Sequence, residues 1–272
     1  MGCRPFDPSK GVSALNLVDL RVDDHVATVV MQRSEAMNAL SGEMADTLSG
    51  AILQAAAEPK VWVMILASAG DRAFCVGADL KERTTLDDAG WLRNRILMRG
   101  LFESLRSVPQ PTIASVFGHA LGGGFELALS CDLMVASDDA VFGLPETTLG
   151  IVPGGGGTQL LARRIGITRA KELIFTGRRL TAQEAQRMGL VSKVVTKSEL
   201  RSATTSLARE ICKASPIAVQ EAKRAVDNAF DLPLEHGIEL EDLAWRRAVA
   251  SEDRKEGIAA FNQKRDPEWK GR

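Results

Sequence analysis

Long apolar runs, charge of one sign and clustered metal ligands are all missing from this sequence. The longest hydrophobic stretches fall far short of the roughly 20 residues that a membrane helix needs, so no membrane span is expected. Lys and Arg number 34 against 35 Asp and Glu, a formal net charge of −1. That balance gives no general pull toward nucleic acid or an anionic membrane. The four cysteines, Cys3, Cys75, Cys131 and Cys212, are scattered and form no CxxC pair. The three histidines, His25, His119 and His236, stand far apart. Both facts argue against a disulfide framework, a zinc site or any other metal centre, and favour a reducing compartment. They also leave no Ser-His-Asp arrangement to argue from. No GxGxxG occurs in a strand–turn–helix setting, and the run Pro153-Gly154-Gly155-Gly156-Gly157 is not followed by Lys-Ser/Thr, so a phosphate loop is not supported.

The N-terminus also lacks address signals. Met1-Gly2-Cys3 opens like a myristoylation site, but Phe6 stands where Ser or Thr is required. It is not Arg-rich, and no hydrophobic signal region follows it. A cytoplasmic protein is expected, with an organelle form whose leader has been removed as the alternative.

What is present is an ordinary globular composition. The chain has 272 residues, 45% of them hydrophobic, which is enough for one large core with a smaller appendage. Strands are expected near Leu15–Arg21 and Val26–Met31, joined by a turn at Asp23-Asp24. Ser41 is placed to cap a helix over Gly42–Ala57, which Pro59 stops. "VWVMILAS" reads as a strand covered on both faces. Leu97, Leu101 and Leu105, with Met98 and Phe102 beside them, have helical spacing. "PTIASVFG", "DLMVAS" and "AVFG" read as further strands. After Gly154 the pattern is mostly helical, with one strand near Leu190–Val195. This is an α/β core, residues 1–196, with a helical C-terminal segment, residues 197–272. The strand–strand–helix rhythm hints at repetition, but no sequence-level repeat is found.

Two turns stand out. Gly122-Gly123-Gly124 leads directly into the apolar helix "FELALS", and Gly77-Ala78-Asp79 puts small residues where another strand gives way to a helix. Glycine lets a ligand approach the backbone, and the first amides of a helix have no carbonyl partner within it. Two such turns can aim two N–H groups at one oxygen, the geometry of an oxyanion hole. Tight packing alone would explain a single glycine run. Glu126 and Glu146 both sit in apolar surroundings, where a carboxylate must be paired, hydrogen-bonded or protonated. Taken singly, each reads as a turn or helix-dipole residue. Two around one cleft could divide acid and base work. Asp79 and Lys81 read as a solvated helix start, and His119 as a structural histidine. Trp62, Trp91, Trp245 and Trp269 form no stripe.

The segments "MNAL", "AFCVGADLKE", "PTIASVFGHALGGGFELALSCDLMVAS", "FGLPETTLGIVPGGGGTQLLARRIG", "AKELIFTGRRLTAQEAQRMGLVSKVV" and "SEDRKEGIAAFNQKR" resemble, in order, the crotonase (enoyl-CoA hydratase/isomerase) superfamily. "GADLKER" and "PGGGGTQ" resemble its methylglutaconyl-CoA hydratase branch and close enoyl-CoA hydratase relatives. The resemblance implies an α/β spiral of strand–strand–helix units whose C-terminal helices pack onto neighbouring subunits in a homotrimer or homohexamer. It implies an acyl-CoA substrate and no separate cofactor. It places oxyanion-hole amides at Ala78 and Gly123, and catalytic carboxylates at Glu126 and Glu146. It places substrate or CoA contacts at Ala36, Met37, Val76, Asp79, Leu80, Lys81, Gly154, Phe261 and Lys264. Gln32-Arg33-Ser34 departs from the common Asn-Arg-Pro. The implied reaction is hydration of a trans-2-enoyl-CoA, with double-bond isomerisation or methylglutaconyl-CoA hydration as alternatives. RNA binding is an alternative of another class, disfavoured by the charge balance and the lack of an aromatic-basic pattern.

Overall fold

Two valine-rich segments open the fold. β1 (Val18–Asp23) and β2 (Val26–Met31) pair antiparallel in the register Val18↔Met31 to Asp23↔Val26. Asp23 is thus a paired residue, and the turn falls one position later than expected, on Asp24 and His25. Asp24 takes a left-handed conformation that aspartate tolerates. The computed structural model describes residues 17–272, so Leu15 and Asn16 of the expected first strand, and Cys3 and Phe6, lie outside the described residues.

α1 (Gly42–Ala57) starts where Ser41 accepts a hydrogen bond from the Met44 amide, the cap its sequence foretells. Then follow β3 (Val63–Ser68), β4 (Ala73–Cys75), α2 (Leu80–Arg83), α3 (Asp88–Ser107), β5 (Thr112–Val116), β6 (His119–Leu121), α4 (Gly123–Ser130), β7 (Leu133–Ser137) and β8 (Val141–Gly143). The remainder holds α5 (Gly157–Ile165), α6 (Ile167–Thr176), β9 (Leu180–Thr181), α7 (Ala182–Arg187), β10 (Lys193–Val195), α8 (Leu200–Ile211), α9 (Pro216–Asp227), α10 (Leu234–Ala250) and α11 (Glu252–Gln263).

The strands form two sheets, ordered β1-β2-β3-β5-β7-β10 and β4-β6-β8-β9. β3-β4, β5-β6 and β7-β8 each place one strand in the large sheet and the next in the small one before the chain turns helical. This is the expected α/β spiral of strand–strand–helix turns. "PTIASVFG" holds one buried strand, β5, as expected, and the chain then leaves the large sheet after Val116 and enters the small one at His119.

The apolar strand β3 is covered on both faces, as its composition requires. Met64 and Leu66 join the main core with Leu48 and Ile52 of α1 and Leu101 and Leu105 of α3. Val63 and Ile65 face the other way, against Leu200 and Ala208 of α8. α3 carries Gly100 with nothing within 4 Å of the Cβ it lacks. Gly100→Ala is therefore expected to stabilise the fold by about 0.5–1 kcal/mol through helix propensity alone. A denaturant titration checks this, and a loss of stability would show an unseen constraint there.

Among the described residues, no helix is long and apolar enough to cross a membrane. α9, α10, α11 and the connection after α9 leave Val226, Phe230, Leu234, Ile238, Trp245 and Phe261 exposed.

Candidate active site

The small sheet brings two loops side by side. The loop after β4 is pinned from below by the segment after β2: Val76 donates to the Met37 carbonyl, Leu40 to the Gly77 carbonyl and Asp79 to the Leu40 carbonyl. Asn38, fully buried, donates to the carbonyls of Ala69 and Ala73 and accepts from the Arg33 amide. Asp79 caps α2 by accepting from the Lys81 and Glu82 amides at 3.0 and 3.1 Å, and pairs with Arg33 at 2.7 Å. Burial would raise the Asp79 carboxyl, but the Glu82 amide and Arg33 outweigh it and hold it below its ordinary value. Arg33, the one residue that Gln32-Arg33-Ser34 shares with Asn-Arg-Pro, thus fixes this loop.

The second loop is the glycine start of α4. A Cβ built on Gly77 would meet the Gly123 nitrogen at 2.9 Å, and one built on Gly123 would lie 3.8 Å from the Ala78 nitrogen. The two amides are therefore neighbours. Neither Ala78 nor Gly123 donates to a backbone acceptor among the described residues. The contact depends on Gly124, whose missing Cβ would fall 2.0 Å from the Cys75 carbonyl oxygen. Cys75 itself is no nucleophile here, since burial pushes its thiol up to about 12.

Both loops open on a cleft of about 390 Å³ that Ala78, Gly123, Glu126 and Glu146 all line. Glu126 is buried in the first turn of α4. Its Oε1 accepts from the amides of Gly155 and Gly157, each at 2.7 Å. The Pro153–Gly157 run is thus a cradle for a carboxylate rather than for a phosphate. A Cβ on Gly157 would press within 2.9 Å of that oxygen. Burial raises the Glu126 carboxyl, while the amides of Gly157, Gly155 and Gly154 oppose the rise.

Glu146 opens a short 3-10 turn after β8 and faces Gly122, where a Cβ would come within 3.2 Å of its Oε1. Its Oε2 is buried without a hydrogen-bond partner among the described residues. Burial, reinforced by the negative charge of Glu126, pushes its carboxyl from 4.5 up to about 7. The folded state therefore holds this proton more tightly than the unfolded chain does. The stabilising contribution is complete below 4.5 and is lost as pH rises through about 7. Glu146→Gln is expected to stabilise the protein at pH 8 by up to roughly 3 kcal/mol and to flatten the pH dependence between those limits. Unfolding titrations at pH 5 and pH 8 check this, and an unchanged slope would contradict it.

Of the other sequence-derived candidates, Val76, Leu80 and Gly154 line the cleft. Ala36, Met37 and Asp79 lie in the adjoining loops and Lys81 in α2, all outside the lining. Phe261 is exposed on α11 and Lys264 ends that helix in a left-handed conformation. A single chain does not bring either to the cleft. His119 does not line it either. Sequence reasoning missed Arg83 and Arg95, both lining residues. Trp91, Arg95, Met98 and Phe102 all line the cleft, and their i, i+4, i+7, i+11 spacing on α3 was the available signal.

Comparison with known proteins gives the same picture. Residues 21–272 match the family model described as enoyl-CoA hydratase/isomerase. Enoyl-CoA hydratase domain-containing protein 2, mitochondrial, of Bos taurus is 43% identical over 252 residues, covering 90% of this chain and 84% of the relative. Methylglutaconyl-CoA hydratase, mitochondrial, of Mus musculus is 40% identical over 252 residues, covering 90% and 80%. The crystal structure of enoyl-CoA hydratase from Bacillus anthracis superposes with a TM-score of 0.92 at 41% identity, covering 94% of this chain and 100% of that one. By its family match, its identities and its fold, the chain belongs to the enoyl-CoA hydratase/isomerase family.

Proposed function

We propose that the protein hydrates a trans-2-enoyl-CoA reversibly to a 3-hydroxyacyl-CoA. One observation carries the reading: two unpaired amides and two buried carboxyls of unlike environment line a single cleft. The amides of Ala78 and Gly123 would receive the thioester oxygen. Negative charge builds on that oxygen as the enolate forms, and each such donor is worth about 3–4 kcal/mol of barrier.

The carboxyls divide the proton work. N–H donors favour an anion and partly offset the burial that raises the Glu126 carboxyl, so in its glycine cradle Glu126 is assigned the base role. Glu146 has no donor on Oε2 and keeps its proton up to about pH 7. Water held between them adds its oxygen to C3 and gives its proton to Glu126. Glu146 delivers a proton to C2, and proton exchange between the two carboxyls restores the starting state. Isomerisation needs only one shuttling carboxyl, and the presence of the second favours hydration.

The substrate's CoA is part of the reactant, and no separate cofactor is needed for these steps. The exposed apolar residues of α9–α11 support assembly into a homotrimer or homohexamer. In such an assembly Phe261 and Lys264 would serve the nucleotide end of a neighbour's ligand.

The test is loss of the conjugated-enoyl absorbance of crotonyl-CoA in water. Appearance of 3-hydroxybutyryl-CoA supports the reading. Double-bond migration in a 3-enoyl-CoA with no hydration of crotonyl-CoA would replace it with isomerisation. In the hydration direction kcat/KM is expected to fall as pH rises through about 7, because Glu146 loses its proton there.

A further inference from the structure

The glycine cradle that holds Glu126 is itself held. Glycine has more backbone freedom to lose than any other residue, so the four at 154–157 orient a carboxylate only if something fixes their peptides. α5 fixes one of the two donors. The Gly157 amide shares its peptide with the Gly156 carbonyl, which accepts from the Gln159 and Leu160 amides at 3.0 and 2.8 Å. The other donor, Gly155, lies ahead of α5. Among the described residues, the carbonyls of Gly154 and Gly155 accept no backbone N–H. Two guanidiniums of α3 take that place. Arg95 Nη1 donates to the Gly154 carbonyl at 2.6 Å, and Arg106 Nη1 to the Gly155 carbonyl at 3.1 Å. Phe102 lies between them on the same helix face and closes over Gly155, where a Cβ would come within 2.4 Å of its ring.

The two arginines are not equivalent. The Gly154 carbonyl and the Gly155 N–H belong to one planar trans peptide and point in opposite directions. Arg95 holds the oxygen end, and the hydrogen end donates to Glu126 Oε1 at 2.7 Å. A cation on the oxygen draws electron density from the N–H and makes it a stronger donor. The peptide that Arg106 holds ends instead in the Gly156 N–H, which donates to neither acid among the described residues. Both cradle bonds fall on Oε1, so fixing the cradle also fixes where Glu126 presents its second oxygen.

We propose that Arg95 is a positioning residue for the hydration, which acts through the peptide between Gly154 and Gly155 to fix the orientation of Glu126 and to strengthen the hydrogen bond it receives. This rests on the hydratase reading above and adds to it a residue outside the acid pair. The electrostatics point the same way. Burial raises the Glu126 carboxyl, and the cradle amides and then Arg95 oppose the rise. The other charges that bear on Glu126 are Arg83 at the end of α2, Arg106 on α3 and Glu146 after β8. Among the remaining elements packed on α4, β4 brings the neutral thiol of Cys75, β6 brings His119, and β5 brings no titratable group. α5 turns Arg163 to Asp231 and Arg164 to the Cys131 carbonyl at the far end of α4.

The experiment follows kcat and KM for crotonyl-CoA hydration against pH in Arg95→Met, Arg95→Lys and Arg106→Met. Arg95 is an exposed residue, so its replacement is not expected to cost the fold. Arg95→Met should lower kcat by up to about 10²-fold, the cost of a misaligned group, with KM little changed. It should also move the acid limb of the profile to higher pH. Without the cation the Glu126 anion is less favoured, so the base takes up its proton earlier as pH falls. Arg95→Lys returns a charged donor to the carbonyl and should recover much of both losses. Arg106→Met loosens the same loop one peptide later and should move the acid limb less. A carboxyl ¹³C titration of Glu126 in Glu146→Gln, with and without Arg95→Met, reads the same coupling without turnover, and the midpoint should rise when Arg95 is lost. An acid limb and a midpoint that Arg95→Met leaves in place overturn the proposal. So does an equal displacement in Arg106→Met, which would make the effect a property of the loop, and so does a loss confined to KM, which would assign Arg95 to the substrate. If the native protein hydrates no crotonyl-CoA, the hydratase reading fails, and the titration still decides whether Arg95 acts on Glu126.

Discussion

Glu146→Gln is expected to lower kcat for crotonyl-CoA hydration by about 10³–10⁴, at the upper end of what a positioned acid contributes. Glutamine keeps the shape and cannot deliver the proton to C2. The same change should stabilise the folded chain above neutral pH, because it removes a carboxyl that burial opposes ionising. Loss of activity with gain of stability separates a chemical role from a structural one. Glu126→Gln is expected to lose activity by a comparable factor for a different reason. Its amide must turn its oxygen toward the Gly155 and Gly157 amides, leaving only an NH₂ group toward the water. Near-native activity in both variants would remove the acid pair from the reaction. Circular dichroism confirms that the comparison is between folded proteins.

Gly124→Ala should be nearly as damaging without touching a reactive group. The new methyl would meet backbone, the Cys75 oxygen at 2.0 Å and carbon at 2.6 Å, so no side chain can swing aside. The start of α4 must then move away from β4, and Gly123 moves away from Ala78. Losing one aligned donor lowers kcat by about 10²–10³. Forced overpacking of this kind also destabilises by about 1–3 kcal/mol. Turnover of crotonyl-CoA and a denaturation curve measure the two effects. Gly100→Ala on α3 is the matched control, since the same methyl there meets nothing and should stabilise. Unimpaired turnover in Gly124→Ala would show that the contact between the two loops is not needed.

Elements set by neighbours along the chain are legible in this sequence, and elements set by distant partners are not. Ser41 and the apolar spacing behind it define α1 at both ends, and β2 matches residue for residue. β3 declares its double coverage by having no polar face. β4, β6, β8 and β9 hold two or three residues each, too few to show a period, and they exist because of partners far away in the chain. The small sheet, which brings the amides of Ala78 and Gly123 together, was therefore hidden. The two glycine turns and the two acids stand out in the sequence itself, but the individual amides of Ala78 and Gly123 and the remaining contact residues came from the resemblance to a family. Glu126 and Glu146 are apolar-context acids in the sequence, and only the fold puts them on one cleft. The Gly154–Gly157 run reads as a helix start, and its part as a carboxylate cradle depends on α4 arriving from 30 residues earlier. Arg83 and Arg95 pass as solvated helix charges until Trp91 and the cleft are seen beside them.

The convergence of amides and acids is tested most directly by a crystal structure with acetoacetyl-CoA, which has no C2–C3 double bond to hydrate. The account predicts the thioester oxygen about 3 Å from both the Ala78 and Gly123 nitrogens. It also predicts C2 and C3 turned toward the carboxyls of Glu146 and Glu126. A thioester oxygen out of reach of either amide, or an acyl chain lying away from both acids, would contradict it.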